Sequence, residues 1–371
     1  MLVSDQISSF LSERIEAGDF PSAVYLVAEK GEVVLHGAVG HAVVEPERIE
    51  AVPDTIYDLA SLTKVLVPGL LGAILVASGR LDLGAAIGDL LDEFHGLPNA
   101  AITVEQLLTH TSCLPAWRPF YLLVDDPSGL TTTIAQMPRD RDGELVTYSD
   151  LNFLTLAAAT ERIMGKTLQE AAFDDIFFPL GLTDTAFAPA AALRHRIAAS
   201  EKGNRYERNT CLEQFPQLDI RESAFRTDTI WGEVHDGNAY FMGGIAGHAG
   251  LFSTAWEVFR IGQQFLPNHT TLLRPETCEL FRINFTPRMN EARSFAFQLA
   301  STSGSTAGSR MSRQSFGHLG FTGTSLWIDP VNERVFVLLT NRTHVHSLPF
   351  VNINSVRRRF HDLAIDFLEK D

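Results

Sequence analysis

The sequence predicts an α/β chain of the α+β kind, with an antiparallel sheet flanked by terminal helices and a mainly helical subdomain inserted between its two parts. Strand-like runs occur near both ends of the chain, the middle carries helical periodicity, and each end is an amphipathic helix that needs a sheet to cover. Residues 1–60 and 230–371 are assigned to the sheet subdomain and 61–229 to the helical one, the two forming a single unit.

The N-terminal segment places Ile7, Phe10, Leu11 and Ile15 on one helical face. Ala23 to Ala28 and Val33 to Ala38 follow as a β-hairpin turning at Lys30-Gly31. Leu62 to Ala77, Val104 to Leu108, Leu151 to Met164 and Leu168 to Phe178 read as helices separated by Gly and Pro. Ser325 to Ile328 and Arg334 to Leu339 flank Asp-Pro-Val-Asn and predict a second hairpin. Ile353, Val356, Phe360, Leu363 and Phe367 then mark the apolar face of a closing helix.

With 45% hydrophobic residues, 20% charged residues and a mean hydropathy of +0.03, the 371-residue chain can bury a large core and is not disordered. A net charge of −15 argues against nucleic-acid binding, which needs clustered cations. The run Arg357-Arg358-Arg359 reads as a solvated helix face. Cys113, Cys211 and Cys278 are odd in number and lack metal-ligand spacing. The first residues lack the basic and apolar regions of a leader, and no apolar stretch reaches the roughly 20 residues of a membrane span. The expectation is a cytoplasmic protein without cofactor or metal.

Chemistry concentrates in three short segments. Ser61-Leu-Thr-Lys64 puts a hydroxyl and an amine three residues apart, hence on one helical face at a helix start. Alone, the pair reads as a cap and a solvent-seeking lysine; used together, a desolvated lysine can take the serine proton. Tyr148-Ser-Asp150 precedes a helix, where Ser149 or Asp150 can cap and Tyr148 can pack or relay a proton. Gly317-His-Leu-Gly-Phe321 enters a strand, where glycines permit close approach and a backbone N–H can hold an oxyanion.

In order and rough spacing, Ser61-Leu-Thr-Lys64, Tyr148-Ser-Asp150 and His318-Leu-Gly320 resemble the three motifs of the penicillin-recognising serine hydrolases: class C β-lactamases, D-alanyl-D-alanine carboxypeptidases and related esterases. Gln106 to Pro115 looks like the family's Leu-Leu-x-His-Thr-Ser-Gly-Leu-Pro segment with Cys113 in the place of glycine, and Pro179 to Thr185 looks like its Pro-Leu-Gly-Met-x-x-Thr segment. The resemblance implies a β-lactamase-like catalytic unit in which Ser61 is the nucleophile and Lys64 and Tyr148 share acid and base roles. It further implies that His318 orients Tyr148 or supplies positive potential, and that the Ser61 and Phe321 N–H groups hold the oxyanion. Asp150, Leu319 and Gly320 would contact substrate.

Two departures bear on substrate. Asp150 stands where asparagine is usual; ionised, it only accepts hydrogen bonds and favours a protonated Lys64. Leu319 replaces a threonine and offers no hydroxyl to a substrate carboxylate. The expected activity is hydrolysis of a small ester, amide or peptide through a Ser61 acyl-enzyme. The alternatives are a true β-lactamase or D-alanyl-D-alanine carboxypeptidase, and a non-catalytic ligand-binding homologue. Trp231 to Ala239 and Gly243 to Phe252 resemble stretches of one branch of the family and are expected to line the cleft, with metal ligation by His235, Asp236 and His248 the weaker reading. His110 is expected to be a buried, hydrogen-bonded core residue.

Overall fold

The computed structural model describes residues 3–139 and 145–369. Strands β1 (Ser22–Glu29) and β2 (Glu32–Val43) form the first hairpin. Lys30 and Gly31 between them have φ of 51° and 83°, the left-handed pair whose twist suits a two-residue turn. β3 (Ile49–Glu50) extends that edge. β4 (Tyr57–Asp58), β5 (Ala186–Phe187) and β6 (Leu251–Ser253) make a small second sheet ordered β4-β6-β5. With β7 (Gln298–Leu299), β8 (Phe316–Leu319), β9 (Ser325–Asp329) and β10 (Arg334–Thr340), the main sheet runs β3-β2-β1-β10-β9-β8-β7. The two ends of the chain meet in its centre, where Ala23 lies opposite Thr340 and Glu29 opposite Arg334.

Strand side chains alternate between two separate cores. On β1, Val24, Leu26 and Ala28 face the helical layer, while Ala23, Tyr25 and Val27 face the terminal helices Val3–Glu16 and Asn354–Leu368. Both faces are covered, which explains why β1 and β10 read as near-continuous apolar runs. Phe360 is fully buried and meets Tyr25 edge-on with ring centroids 6.1 Å apart; burying such a ring is worth roughly 2–3 kcal/mol.

Two sequence expectations change. The helix from Leu62 to Ala77 is interrupted by a π-turn over Val65–Gly69, because Pro68 has no N–H to donate and a wider turn absorbs the missing bond. The Arg357 to Arg359 run is not solvated throughout. Ile353, Arg357 and Phe360 share a face at helical spacing, so Arg357 is buried and donates to the Gly320 and Thr324 carbonyls at 2.9 and 3.0 Å. No described helix is long and apolar enough to cross a membrane.

Candidate active site

Ser61 sits half-buried on the turn between β4 and the helical run, immediately after Ala60, whose φ is 47°. Neighbouring side chains hold this strained turn in place. Asp58 accepts from the Ala60 N–H at 2.9 Å and from the His235 N–H at 2.7 Å. From the far end of the sequence, Thr322 donates to the Asp58 carbonyl at 2.7 Å and Thr324 to the Leu59 carbonyl at 2.9 Å. Gly320 is needed for this closeness: a Cβ there would lie 1.9 Å from Thr324 Oγ1 and 2.5 Å from the Leu59 oxygen. Among the described residues, neither the Ser61 nor the Phe321 N–H meets an acceptor, so both remain available to an oxyanion.

Lys64 is fully buried, and its Nζ donates to Ser61 Oγ at 2.9 Å and to the His248 carbonyl at 2.9 Å. Asp150 Oδ1 lies 2.7 Å from the same nitrogen. Burial alone would lower the lysine pKa, but the charge of Asp150, and then Tyr148, carry it above its ordinary value. The Tyr148 ring centroid is 5.1 Å from Lys64 Nζ.

Two histidines brace that ring. His110, with its centroid 4.5 Å from that of Tyr148, takes the Ser149 N–H on Nδ1 at 3.1 Å, as a buried core histidine would. His318, with its centroid 5.8 Å away, bonds the Leu319 carbonyl through Nδ1 at 3.0 Å, so Nδ1 carries the proton and Nε2 a lone pair. Burial first, then Lys64 and Arg293, hold His318 well below its ordinary value. The lone pair on Nε2 leaves His318 able to orient a phenol, the first of the two roles expected of it.

The cleft above Ser61 encloses about 660 Å³ and is lined by Tyr148, Asp150, His318, Leu319, Gly320 and Phe321, all predicted from the sequence. Arg293, Arg342, Arg357 and Glu207 also line it and were not foreseen. Among the described residues, Arg342 and Arg357 have no acidic partner; Arg342 donates to the Phe321 carbonyl at 2.7 Å and lies over the Phe321 ring. Burial, followed by the charge of Arg342, pushes Arg357 down to about 9. Among the described residues its Nε has no partner.

Beside Lys64, the buried His248 pairs through Nε2 with Oδ1 of the half-buried Asp236 at 2.8 Å. His235 also lines the cleft but turns to Glu201, at 2.9 Å. Asp150, Asp236 and His248 bring ligand atoms within 4.8 Å of one another, and the Lys64 ammonium already stands beside Asp150 as the local cation.

A serine hydrogen-bonded to a buried lysine at the floor of a cleft, with two unused N–H groups nearby, is the equipment of a serine hydrolase. The profile of the Beta-lactamase family matches residues 7–355. A protein of Escherichia coli K12 that bears the provisional name D-alanyl-D-alanine carboxypeptidase is 30% identical over 369 residues, covering 92% of this chain and 82% of its own. Among solved structures, a class C β-lactamase from Rhodobacter sphaeroides superposes with a TM-score of 0.73 at 20% identity, covering 98% of this chain and 99% of its own. EstCE1, described as a hydrolase with promiscuous acyltransferase activity, gives 0.72 at 18% identity, with 98% of both chains covered. The chain belongs to the β-lactamase family, and is a serine hydrolase with the β-lactamase-like fold.

Proposed function

We propose that the protein hydrolyses a small carboxylate-bearing ester, amide or peptide through an acyl-enzyme on Ser61, at the junction of a sheet unit (1–60 and 230–371) and a helical unit (61–229). The observation that carries this reading is the continuous chain from Ser61 Oγ through Lys64 Nζ to Asp150 Oδ1, with links of 2.9 and 2.7 Å. A protonated lysine cannot accept the serine proton unless it gives one up. As Ser61 Oγ bonds to the substrate carbonyl carbon, its proton passes to Lys64 while Lys64 hands another to Asp150, so the lysine keeps its charge and Asp150 becomes neutral. The negative charge moves to the carbonyl oxygen, facing the Ser61 and Phe321 N–H groups. Tyr148, oriented by His318, protonates the leaving group and regains a proton from Lys64, which recovers its own from Asp150; the same chain then takes a proton from the water that releases the acyl group and returns it to Ser61.

Leu319 has no hydroxyl for a substrate carboxylate, but Arg342 and Arg357 supply uncompensated positive charge beside it. That pair also favours, as a second reading, the peptidase activity for which the E. coli relative is named, since a C-terminal carboxylate would fit there. We place the protein in the cytoplasm, where three buried cysteines without a paired spacing suit a reducing environment. The test is intact-mass spectrometry after a fluorophosphonate or a β-lactam. The adduct should map to Ser61, and Ser61→Ala should lose it together with at least about 10³-fold of ester hydrolysis; full activity of Ser61→Ala across an ester panel would overturn the proposal.

A further inference from the structure

Resting on the Ser61 acyl-enzyme reading, we propose that the cleft selects substrates whose acyl group carries an ammonium, with the Glu207 carboxylate as its acceptor. Glu207 lies on the helix Arg205–Gln214, lines the cleft and is 6% exposed. Its carboxylate is held by neutral donors: the Tyr121 hydroxyl on Oε2 at 2.9 Å and the Gly237 N–H on Oε1 at 2.8 Å. Among the described residues, no Lys or Arg forms an ion pair with it. Arg226 and His235 lie near enough to temper its charge, but their hydrogen bonds go to the Val234 and His235 carbonyls and to Glu201.

A buried carboxylate with neutral donors and an acidic neighbour, Asp236, is costly, and burial followed by that neighbour pushes Glu207 up to about 7. A cation entering the cleft would remove the penalty. The fold also makes room for the carboxylate. A Cβ on Gly237 would stand 2.1 Å from Glu207 Oε2 and 2.8 Å from Tyr121 Cε1, so the backbone is bare where the carboxylate rests.

The position fits an acyl group. Gly237 follows Asp236, whose carboxylate is within 4.8 Å of ligand atoms of Asp150 and His248, the two residues that bracket Lys64. Glu207 is thus connected to the Ser61–Lys64 pair through Gly237, Asp236 and then Asp150 or His248. Arg342 and Arg357, in the same cleft, repel a cation and attract an anion, so amino and carboxyl groups have separate places. The substrates this charge pattern fits are amino-acid or peptide derivatives with a free amine on the acyl side.

The experiment compares D- and L-alanine p-nitroanilides with propionyl p-nitroanilide, in the wild-type enzyme and in Glu207→Gln. The wild type should prefer one alanyl substrate by about 10- to 100-fold in kcat/KM, the range of one charge-assisted hydrogen bond. Glu207→Gln should collapse that ratio to within about threefold of unity; because the readout is a ratio, a general loss of activity does not imitate it. A wild type indifferent to the amine, or a preference that survives Glu207→Gln, overturns the proposal. If Glu207→Gln does not fold, the wild-type preference and its loss on N-acetylation of the alanyl substrate decide the question. Propionyl hydrolysis that depends on Ser61 without an amine preference sinks this inference alone, whereas activity retained in Ser61→Ala sinks the acyl-enzyme reading beneath it.

Discussion

Replacing Asp150 with asparagine separates two ways in which a buried lysine can serve a serine. At the observed 2.7 Å, with an effective dielectric constant of about 20, the Lys64–Asp150 attraction is about 6 kcal/mol. The asparagine oxygen keeps a neutral contact worth about 1 kcal/mol, which leaves about 5 kcal/mol, and a neutral amide no longer bears the desolvation cost of the carboxylate, so the net loss of stability at neutral pH should be about 3–4 kcal/mol. The sign follows from the lysine. In the wild type its folded pKa is raised above 10.5, so the pair's contribution is complete below 10.5 and fades as pH rises through the raised value. In Asp150→Asn burial dominates and the folded value drops below the unfolded one, so the charged lysine costs stability near pH 7 and the cost disappears as pH rises through the lowered value. Acylation should follow the same course. Without the carboxylate the relay has no terminus, and the burst rate with a p-nitrophenyl ester at pH 7 should fall about 10²- to 10³-fold, recovering toward alkaline pH as neutral Lys64 becomes a base. Burst kinetics from pH 6 to 10 and urea melts measure both effects. An Asp150→Asn enzyme that acylates at pH 7 as fast as the wild type would refute the relay.

Gly320→Ala should cost about 3 kcal/mol in a thermal or urea melt and slow acylation, because its Cβ meets Thr324 Oγ1 at 1.9 Å and the Leu59 oxygen at 2.5 Å and must push the serine turn aside. Arg357→Met should raise KM about 10-fold or more for a carboxylate-bearing ester while leaving an uncharged ester of the same acyl group within about threefold. Asp236→Asn removes the partner of His248, whose pKa burial lowers but Asp236 carries above 6.5. The stability lost, about 3 kcal/mol, should be full at pH 6 and shrink as pH rises through the folded value of His248, as parallel urea melts at pH 6 and 8.5 would record.

Where the sequence was legible, a local rule and the tertiary environment agreed. The Lys30-Gly31 turn, the apolar runs of β1 and β10, and the Ser61, Tyr148 and His318 segments all announce themselves through period or motif. Arg357 was misread because three consecutive arginines suggest solvent, although its place between Ile353 and Phe360 on the apolar face of the helix was the available signal. Glu207 and Arg293 gave none: the first lies on a short helix without a readable pattern and the second in an irregular region, and only the assembled cleft reveals what each faces. The lowered pKa of His318 was also beyond sequence reasoning, since it depends on burial and on two cations distant in the chain. Cys113 shows a milder conflict; it occupies φ of 64° where the resemblance expects glycine, so the backbone of the motif survives with a less accommodating residue.

The threonine bonds from Thr322 and Thr324 to the backbone around Ser61 have a consequence for biosynthesis. They join positions 264 and 265 residues apart, and β1 has its central partner only once β10 exists. While the chain is being made, Ser61 and Lys64 leave the ribosome long before the strand that fixes their turn, and β1 waits with one edge unpaired. A nascent chain ending before residue 316 carries Ser61 yet lacks the brace that aims it, so on the acyl-enzyme reading hydrolysis should switch on only when the final hairpin docks.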